Sequence, residues 1–363
     1  MKEITLMNEL YPLSEISLEI TWQCLQNCVH CSSGASINSQ EALSKNEIIQ
    51  AATDFKKLGG EKLELSGGEP FLHKDIADLL PELKKMDLKV NIFTCGTING
   101  GTLTEWTTAM QETVRLVKNN SVNEVVFSLH GANARTHDDI VKSKGSFSRA
   151  LMFMRTLVKE NVWVGVHFVP MTLNFEEFRD LVDFAVDIGV HDLSVLRFVP
   201  QGRGEKNKES LILNKAEVAR FVELLAEEKK KREIVKVGSH LDFTFLIDGS
   251  TPKECTAGIS KCLVEANGNI IPCAVFKGMT GNYVAGNIRK EGLSDVWKQS
   301  PVFQKFRNFD PSKLKGCNLC DYLAKCKGRC PAQRIYDHGD FYVGPDNYCP
   351  KEIFGAKKNS LGS

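Results

Sequence analysis

The chain has 363 residues, 42% of them hydrophobic and 25% charged, with a formal net charge of +1. It is long enough for a large core and more than one domain, and its balanced charge argues against a surface built for nucleic acid or anionic membranes. No run of 18 or more apolar residues occurs and the start, MKEITLMNELYPL, has no apolar signal core, so a cytoplasmic protein that neither spans nor binds membrane is expected.

The first apolar run, ISLEI (16–20), leads into TWQCLQNCVHC, which sets Cys24, Cys28 and Cys31 at spacing C-x3-C-x2-C. Zinc and closed iron–sulfur clusters normally take four protein ligands, so a triplet leaves one metal position open. The chain has 12 cysteines: these three, one at 95, and eight between Cys255 and Cys349. In a reducing compartment such a set points to metal rather than to disulfides.

Further β-branched or apolar runs follow at KLELS (62–66), KVNIF (89–93), EVVFSL (124–129), VWVGVHF (162–168) and LSVLRF (193–198). Helical patterns separate them, as in repeated βα units with a parallel sheet. Ser44 and Glu47 form a capping box before Ile48, Ala52, Phe55 and Leu58, and Gly59-Gly60 stops that helix. Asn174 is expected to cap another, with Phe178, Leu181, Val182 and Ala185 on one face and Gly189 at its end. Six units are too few for a closed eight-stranded barrel, so the α/β core is expected to be an open, TIM-like partial (β/α)6 barrel. Its chemistry should sit at the C-terminal ends of the strands.

The second strand ends in Ser66-Gly67-Gly68-Glu69-Pro70, where glycines let the backbone approach a ligand and proline fixes the turn. Cys95, in FTCGT after the third strand, reads either as a small buried hydrophobe or as a thiol acting in the reaction. After Pro200, QGRGEKNKES reads as a polar domain edge, and KKKR (229–232) as a solvated helix face. IVKV and DFTFLI suggest a hairpin. The cysteine-rich stretch then spaces Cys255, Gly268 and Cys273 as C-x12-G-x4-C, and Cys317, Cys320, Cys326 and Cys330 as C-x2-C-x5-C-x3-C, before Cys349. Eight thiolates can fill two tetrahedral sites, and zinc is the plain reading of such knuckles.

The triplet, with SGGEP one strand later, resembles the radical S-adenosylmethionine (SAM) superfamily, and the resemblance extends over nearly the whole chain. It implies that Cys24, Cys28 and Cys31 bind three irons of a [4Fe–4S] cluster whose fourth iron takes the amino and carboxylate groups of SAM. Gly67, Gly68 and Glu69 would hydrogen-bond the methionyl amino group. One electron would then cleave SAM to a 5′-deoxyadenosyl radical. FSLHGANARTHDD resembles the family's fourth-strand pattern, with KGSF opening the next helix, which makes Ser128 a SAM-pocket residue. His30 stands where the family often has an aromatic, and need not be a ligand.

The C-terminal pattern resembles the SPASM domain, which follows such cores and binds two auxiliary Fe–S clusters. By that resemblance Cys255, Cys262, Cys273 and Cys330 hold the first and Cys317, Cys320, Cys326 and Cys349 the second, for three [4Fe–4S] clusters in all. Cys262 lies outside the seven-cysteine pattern; were it merely a buried thiol, the first auxiliary cluster would keep an open iron. The implied division is a barrel core (1–205), a bridging helix and hairpin (206–250), a SPASM domain (251–355) and a disordered tail (356–363).

The resemblance further implies an oxidoreductase or maturase acting on a peptide by crosslinking, thioether formation, epimerisation or oxidation. A reductant such as flavodoxin or ferredoxin would serve it. The first cluster cysteine is only residue 24, so no leader-binding winged helix is expected before the barrel, and a separate leader-binding protein could take that part. Ala274 follows Cys273 where sulfatase maturases tend to carry an aspartate, which speaks against that substrate. The alternative substrate is a tetrapyrrole side chain, with Arg203 either meeting an acidic group or lying in a mobile surface loop. A reading of another class, a non-catalytic iron–sulfur electron carrier, has no use for the SAM-binding GGEP.

Overall fold

The computed structural model describes residues 11–98, 101–237, 254–279 and 282–354. The six apolar runs form β1 (Glu15–Thr21), β2 (Lys62–Gly67), β3 (Lys89–Thr94), β4 (Glu124–Ser128), β5 (Val164–Phe168) and β6 (Asp192–Val195). Each strand pairs parallel with the next. The crossovers are α1 (Lys45–Lys57), α2 (Ile76–Lys85), α3 (Leu103–Asn119), α4 (Ala134–Val141) with α5 (Ser146–Lys159), and α6 (Phe178–Ile188).

Alternation along β1 separates two environments. Ile16, Leu18 and Ile20 are fully buried in one apolar core with Ile48, Ala52 and Phe55 of α1. Ser17 and Glu19 take the other face, where Ser17 donates to Glu64 of β2 and Asn91 of β3 donates to Glu124 of β4. The barrel interior is thus polar and hydrogen-bonded, as buried polar groups require. The Ser44 and Glu47 capping box is formed, and Gly189 closes α6 in the left-handed region at φ +84°.

Three details differ from expectation. Asn174 caps nothing: its Oδ1 accepts from the Met171 N–H at 2.7 Å, and its amide donates to the carbonyls of His130 and Val169 at 3.0 and 3.1 Å. A fully buried amide satisfies itself by tying the ends of β4 and β5 together. Among the described residues the IVKV run pairs within the barrel sheet and not in a hairpin. After α7 (Lys215–Lys231), β7 (Val235–Val237) adds to the sheet parallel to β6. DFTFLI and the expected tail lie outside the described residues. Finally, QGRGEKNKES is no loose edge but two short helical turns, Arg203–Lys206 and Lys208–Leu211, folded against the loop after β1.

The cysteine-rich region shares the barrel's sheet. β8 (Lys261–Val264) pairs parallel with β1, and β9 (Asn269–Ile271) and β10 (Gly286–Asn287) continue antiparallel. Among the described residues the sheet has ten strands, in the order β10-β9-β8-β1-β2-β3-β4-β5-β6-β7. Helices α8 (Leu293–Gln299), α9 (Pro301–Arg307) and α10 (Pro331–His338) pack around this edge. Among the described residues, no helix is long and apolar enough to cross a membrane.

Candidate active site

The C-terminal ends of the barrel strands open into a cavity of about 460 Å³, bordered by the thiols of Cys24, Cys28 and Cys31. Gly67 and Gly68 at the end of β2, Cys95 after β3, Ser128 at the end of β4 and Lys277 after β9 reach the same space.

Two braces hold the cysteine loop. Gln26, buried between the first two cysteines, accepts from Cys28 Sγ at 3.3 Å and donates to Thr97 at 3.2 Å and Ser146 at 2.5 Å. Ser146 is the serine of KGSF and the first residue of α5, so that motif anchors the loop. On the other side Arg203 donates from Nε to the Cys28 carbonyl at 2.9 Å and from Nη1 to the Ala35 carbonyl at 2.8 Å. Its own N–H donates to the Cys31 carbonyl at 3.0 Å, and Asn207 donates to the Val29 carbonyl at 2.9 Å. Gly202 permits this approach: its φ is +54°, and a Cβ there would stand 2.6 Å from the Cys31 carbonyl oxygen. Arg203 therefore braces the loop, rather than ranging over a surface or waiting for an acidic substrate.

The thiols respond to these surroundings. A hydrogen bond from the Cys95 thiol holds Cys24 below the ordinary thiol range against its burial, with help from the Gln26 N–H and Arg203. Cys28 is pushed well above that range by burial and by Cys31 and Cys24 nearby. Metal ligation turns such a thiol into a thiolate. Cys95 itself is pushed well up by its bond to Cys24 and by burial, so it stays a neutral donor beside a cluster cysteine.

The SGGEP turn lies against the loop. Gly68 could carry no side chain, since a Cβ would stand 2.1 Å from the Gln23 carbonyl oxygen. The Gly68 and Glu69 N–H groups donate to the carbonyls of Thr21 and Gln23, so what this stretch offers an ammonium is carbonyl oxygen. The Glu69 side chain departs from its expected part. Fully buried, its carboxylate accepts from Thr94 Oγ1 and the Cys95 N–H, both at 2.8 Å, and from the Phe71 N–H at 3.2 Å. It fixes the ends of β2 and β3 instead of facing the cavity.

Three histidines cluster beside the loop, of which the sequence had singled out His30 alone. His30 and His130 meet edge to face at 4.3 Å between ring centroids, and His137 stacks beyond. Burial lowers all three, His30 and His137 to about 4 and His130 well below its usual value, so each is a neutral imidazole near neutral pH. His30 Nδ1, His130 Nδ1 and His137 Nε2 are buried without protein partners. His30 and His130 border the cavity, and a polar cosubstrate there would satisfy such atoms.

Two of the ion pairs that tie the cysteine-rich region to the barrel lie at the cavity. Lys277 Nζ lies 2.5 Å from Glu19 Oε1 and 3.0 Å from Ser33 Oγ. Arg197, after β6, lies 2.8 Å from Asp346 Oδ2, lies over the Tyr348 ring at 4.2 Å, and is buried with its partner. A glutamate inside the apolar run ISLEI was the available signal for the first pair. Nothing local marked the second.

Cys317, Cys320, Cys326 and Cys349 border one small cavity, as a four-thiolate cluster needs. Cys255, Cys273 and Cys330 share a second apolar core, and Cys273 senses the charges of the other two. Cys262 does not join them: its side chain belongs to the main barrel core. Among the described residues no three His, Cys, Asp or Glu side chains converge on one metal ion.

Comparison with known proteins agrees with this geometry. The radical SAM superfamily matches residues 18–185, and the SPASM iron–sulfur cluster-binding domain matches 255–321. The AdoMet-dependent heme synthase of Methanosarcina barkeri is 30% identical over 356 residues, covering 92% of this chain and 95% of that protein. The PqqA peptide cyclase of Methylocella silvestris is 26% identical over 328 residues, covering 89% and 83%. Among solved structures, Streptococcus suis SuiB bound to its precursor peptide SuiA superposes with a TM-score of 0.76 at 21% identity. The match covers 96% of this chain and 78% of that one.

Proposed function

Because the chain belongs to the radical SAM superfamily and carries a SPASM iron–sulfur domain behind its barrel, we propose that it modifies a peptide side chain or backbone with a radical made from SAM. We assign it three [4Fe–4S] clusters, one at Cys24, Cys28 and Cys31 and two in the SPASM domain. When bound, the first cluster and SAM supply the electron and the carbon radical. The chain's own residues do the rest. Gln26 and Arg203 hold the loop, Gly67 and Gly68 offer carbonyls to the methionyl ammonium, and Ser128 and His130 border the cosubstrate's space.

The observation that favours a peptide is the state of the cations. The described cavity residues include Arg197, Arg203 and Lys277, and each is committed within the protein: to Asp346, to the carbonyls of Cys28 and Ala35, and to Glu19. The bordering histidines His30 and His167 are lowered to about 4, chiefly by burial, and are neutral. A substrate bearing several ionised propionates would leave its charges unpaired here, whereas a peptide asks for polar and apolar contacts. SuiB, solved with its precursor peptide, and the PqqA peptide cyclases support the same choice. We also assign a cytosolic setting, a flavodoxin or ferredoxin as reductant, and leader recognition by a separate protein.

A second reading has its own support, since the heme synthase matches at higher identity and over nearly its whole length. The two separate in one anaerobic experiment with reduced, cluster-loaded protein and SAM. The candidates are a short cysteine- or aromatic-rich peptide encoded beside the gene and a propionate-bearing tetrapyrrole. A modified peptide by mass spectrometry or by D/L residue determination is expected. An unchanged peptide together with a tetrapyrrole that loses carbon dioxide would replace the proposal with the second reading.

A further inference from the structure

Eight cysteines follow residue 250, enough for two four-thiolate clusters, but the fold delivers only seven of them to cluster positions. β8 carries the eighth. Its parallel pairing with β1 sets Cys262 opposite Ile16 and Leu263 opposite Ser17. Paired residues of parallel strands share a face, and successive residues take opposite faces. Cys262 therefore lies with Ile16 in the helix-covered core, fully buried. Leu263 lies on the other side, in the apolar cluster that contains Cys330 and packs against Cys255 and Cys273. The charged groups that Cys262 senses are Lys261 and Arg307 of α9, and Arg307 spans the rings of Trp297 and Phe303 in the helix layer.

The strand cannot easily turn this thiol over. A one-residue slip would exchange the faces, but β8 is pinned on both edges, by four residues of β1 and by Leu263 and Val264 against Ile271 and Ile270 of β9. Slippage would also move Val264 out of the core and bring Leu263 into it.

We propose that the first auxiliary cluster is held by three cysteines, Cys255, Cys273 and Cys330, and that its fourth iron carries an exchangeable non-cysteine ligand. All twelve cysteines lie among the described residues, and the remaining one, Cys95, sits beside Cys24 at the other site. Cys273 directly precedes Ala274 and Val275, which border the substrate cavity, so this cluster adjoins the space where a thiolate or nitrogen donor would arrive.

The assignment rests on the reading that both auxiliary clusters are present, and iron counting separates the two. Wild-type protein should hold about twelve irons, with Cys262→Ala the same and Cys255→Ala poorer by about four. A loss of about four irons in Cys262→Ala alone would overturn the inference and leave the three-cluster reading standing. About eight irons in the wild type would overturn both. A second measurement does not depend on how Cys262→Ala folds. In the Cys24/Cys28/Cys31→Ala variant, loaded and reduced, ¹³C-cyanide should shift one auxiliary electron paramagnetic resonance signal and add a ¹³C coupling. Spectra unmoved by cyanide would refute an exchangeable site.

Discussion

Replacing Arg203 by methionine keeps the length of the side chain and removes both of its charge-assisted donations, to the Cys28 carbonyl at 2.9 Å and the Ala35 carbonyl at 2.8 Å. Hydrogen bonds from charged groups contribute about 1.5–3 kcal/mol each, and Arg203 is half-buried, so a local loss of about 3 kcal/mol is expected. That corresponds to about a 100-fold rise in opening of the Cys28–Ala35 loop without global unfolding. Hydrogen exchange at these amides should quicken by that factor, and the first cluster should lose iron faster to a chelator. Arg203 also lowers the Cys24 thiol, so its charge favours the more negative, reduced cluster. Each 1 kcal/mol of that preference is worth about 40 mV in a one-electron couple, and the methionine variant should therefore have a more negative midpoint potential. Arg203→Lys should recover most of the potential and little of the exchange protection, because a point charge cannot span both carbonyls. Unchanged exchange, iron retention and potential in the methionine variant would refute the brace.

Three further outcomes follow from other parts of the structure. Arg197→Leu strands Asp346 as a buried charge and should cost about 3–5 kcal/mol; adding Asp346→Asn should restore part of it, read as thermal unfolding in a double-mutant cycle. Burial and the charge of Glu19 push Glu265 up to about 7, so the fold carries its penalty fully above that pH and not below the ordinary carboxylate range. Glu265→Gln should therefore gain stability relative to wild type as pH rises from about 5 to about 8, and a flat difference would contradict the assignment. Cys95→Ser keeps a donor beside Cys24 and should keep product formation, whereas complete loss with the cluster intact would make Cys95 a reacting thiol.

What was legible in the sequence was local. The six strands, the α1 capping box and the Cys24, Cys28 and Cys31 triplet are each written within about a dozen residues, where period and spacing carry the signal. Long-range partners were not. Arg203 finds its acceptors 175 and 168 positions away, and they are backbone carbonyls, which leave no trace in residue type. Glu69 was read by its motif, but its carboxylate answers to Thr94 and Cys95 at the end of β3. Cys262 is placed by a different rule. Counting thiols says how many ligands exist, while the parity of a strand decides which face each one takes, and parity is set by pairing with β1.

The most direct test of the account is anaerobic. The protein is loaded with iron and sulfide, reduced and given SAM, and 5′-deoxyadenosine is quantified beside the Cys24/Cys28/Cys31→Ala variant with iron counted in both. The account expects 5′-deoxyadenosine from the wild type alone, with about twelve irons against about eight in the variant. Equal product from both proteins, or none from a fully loaded wild type supplied with its peptide, would contradict it.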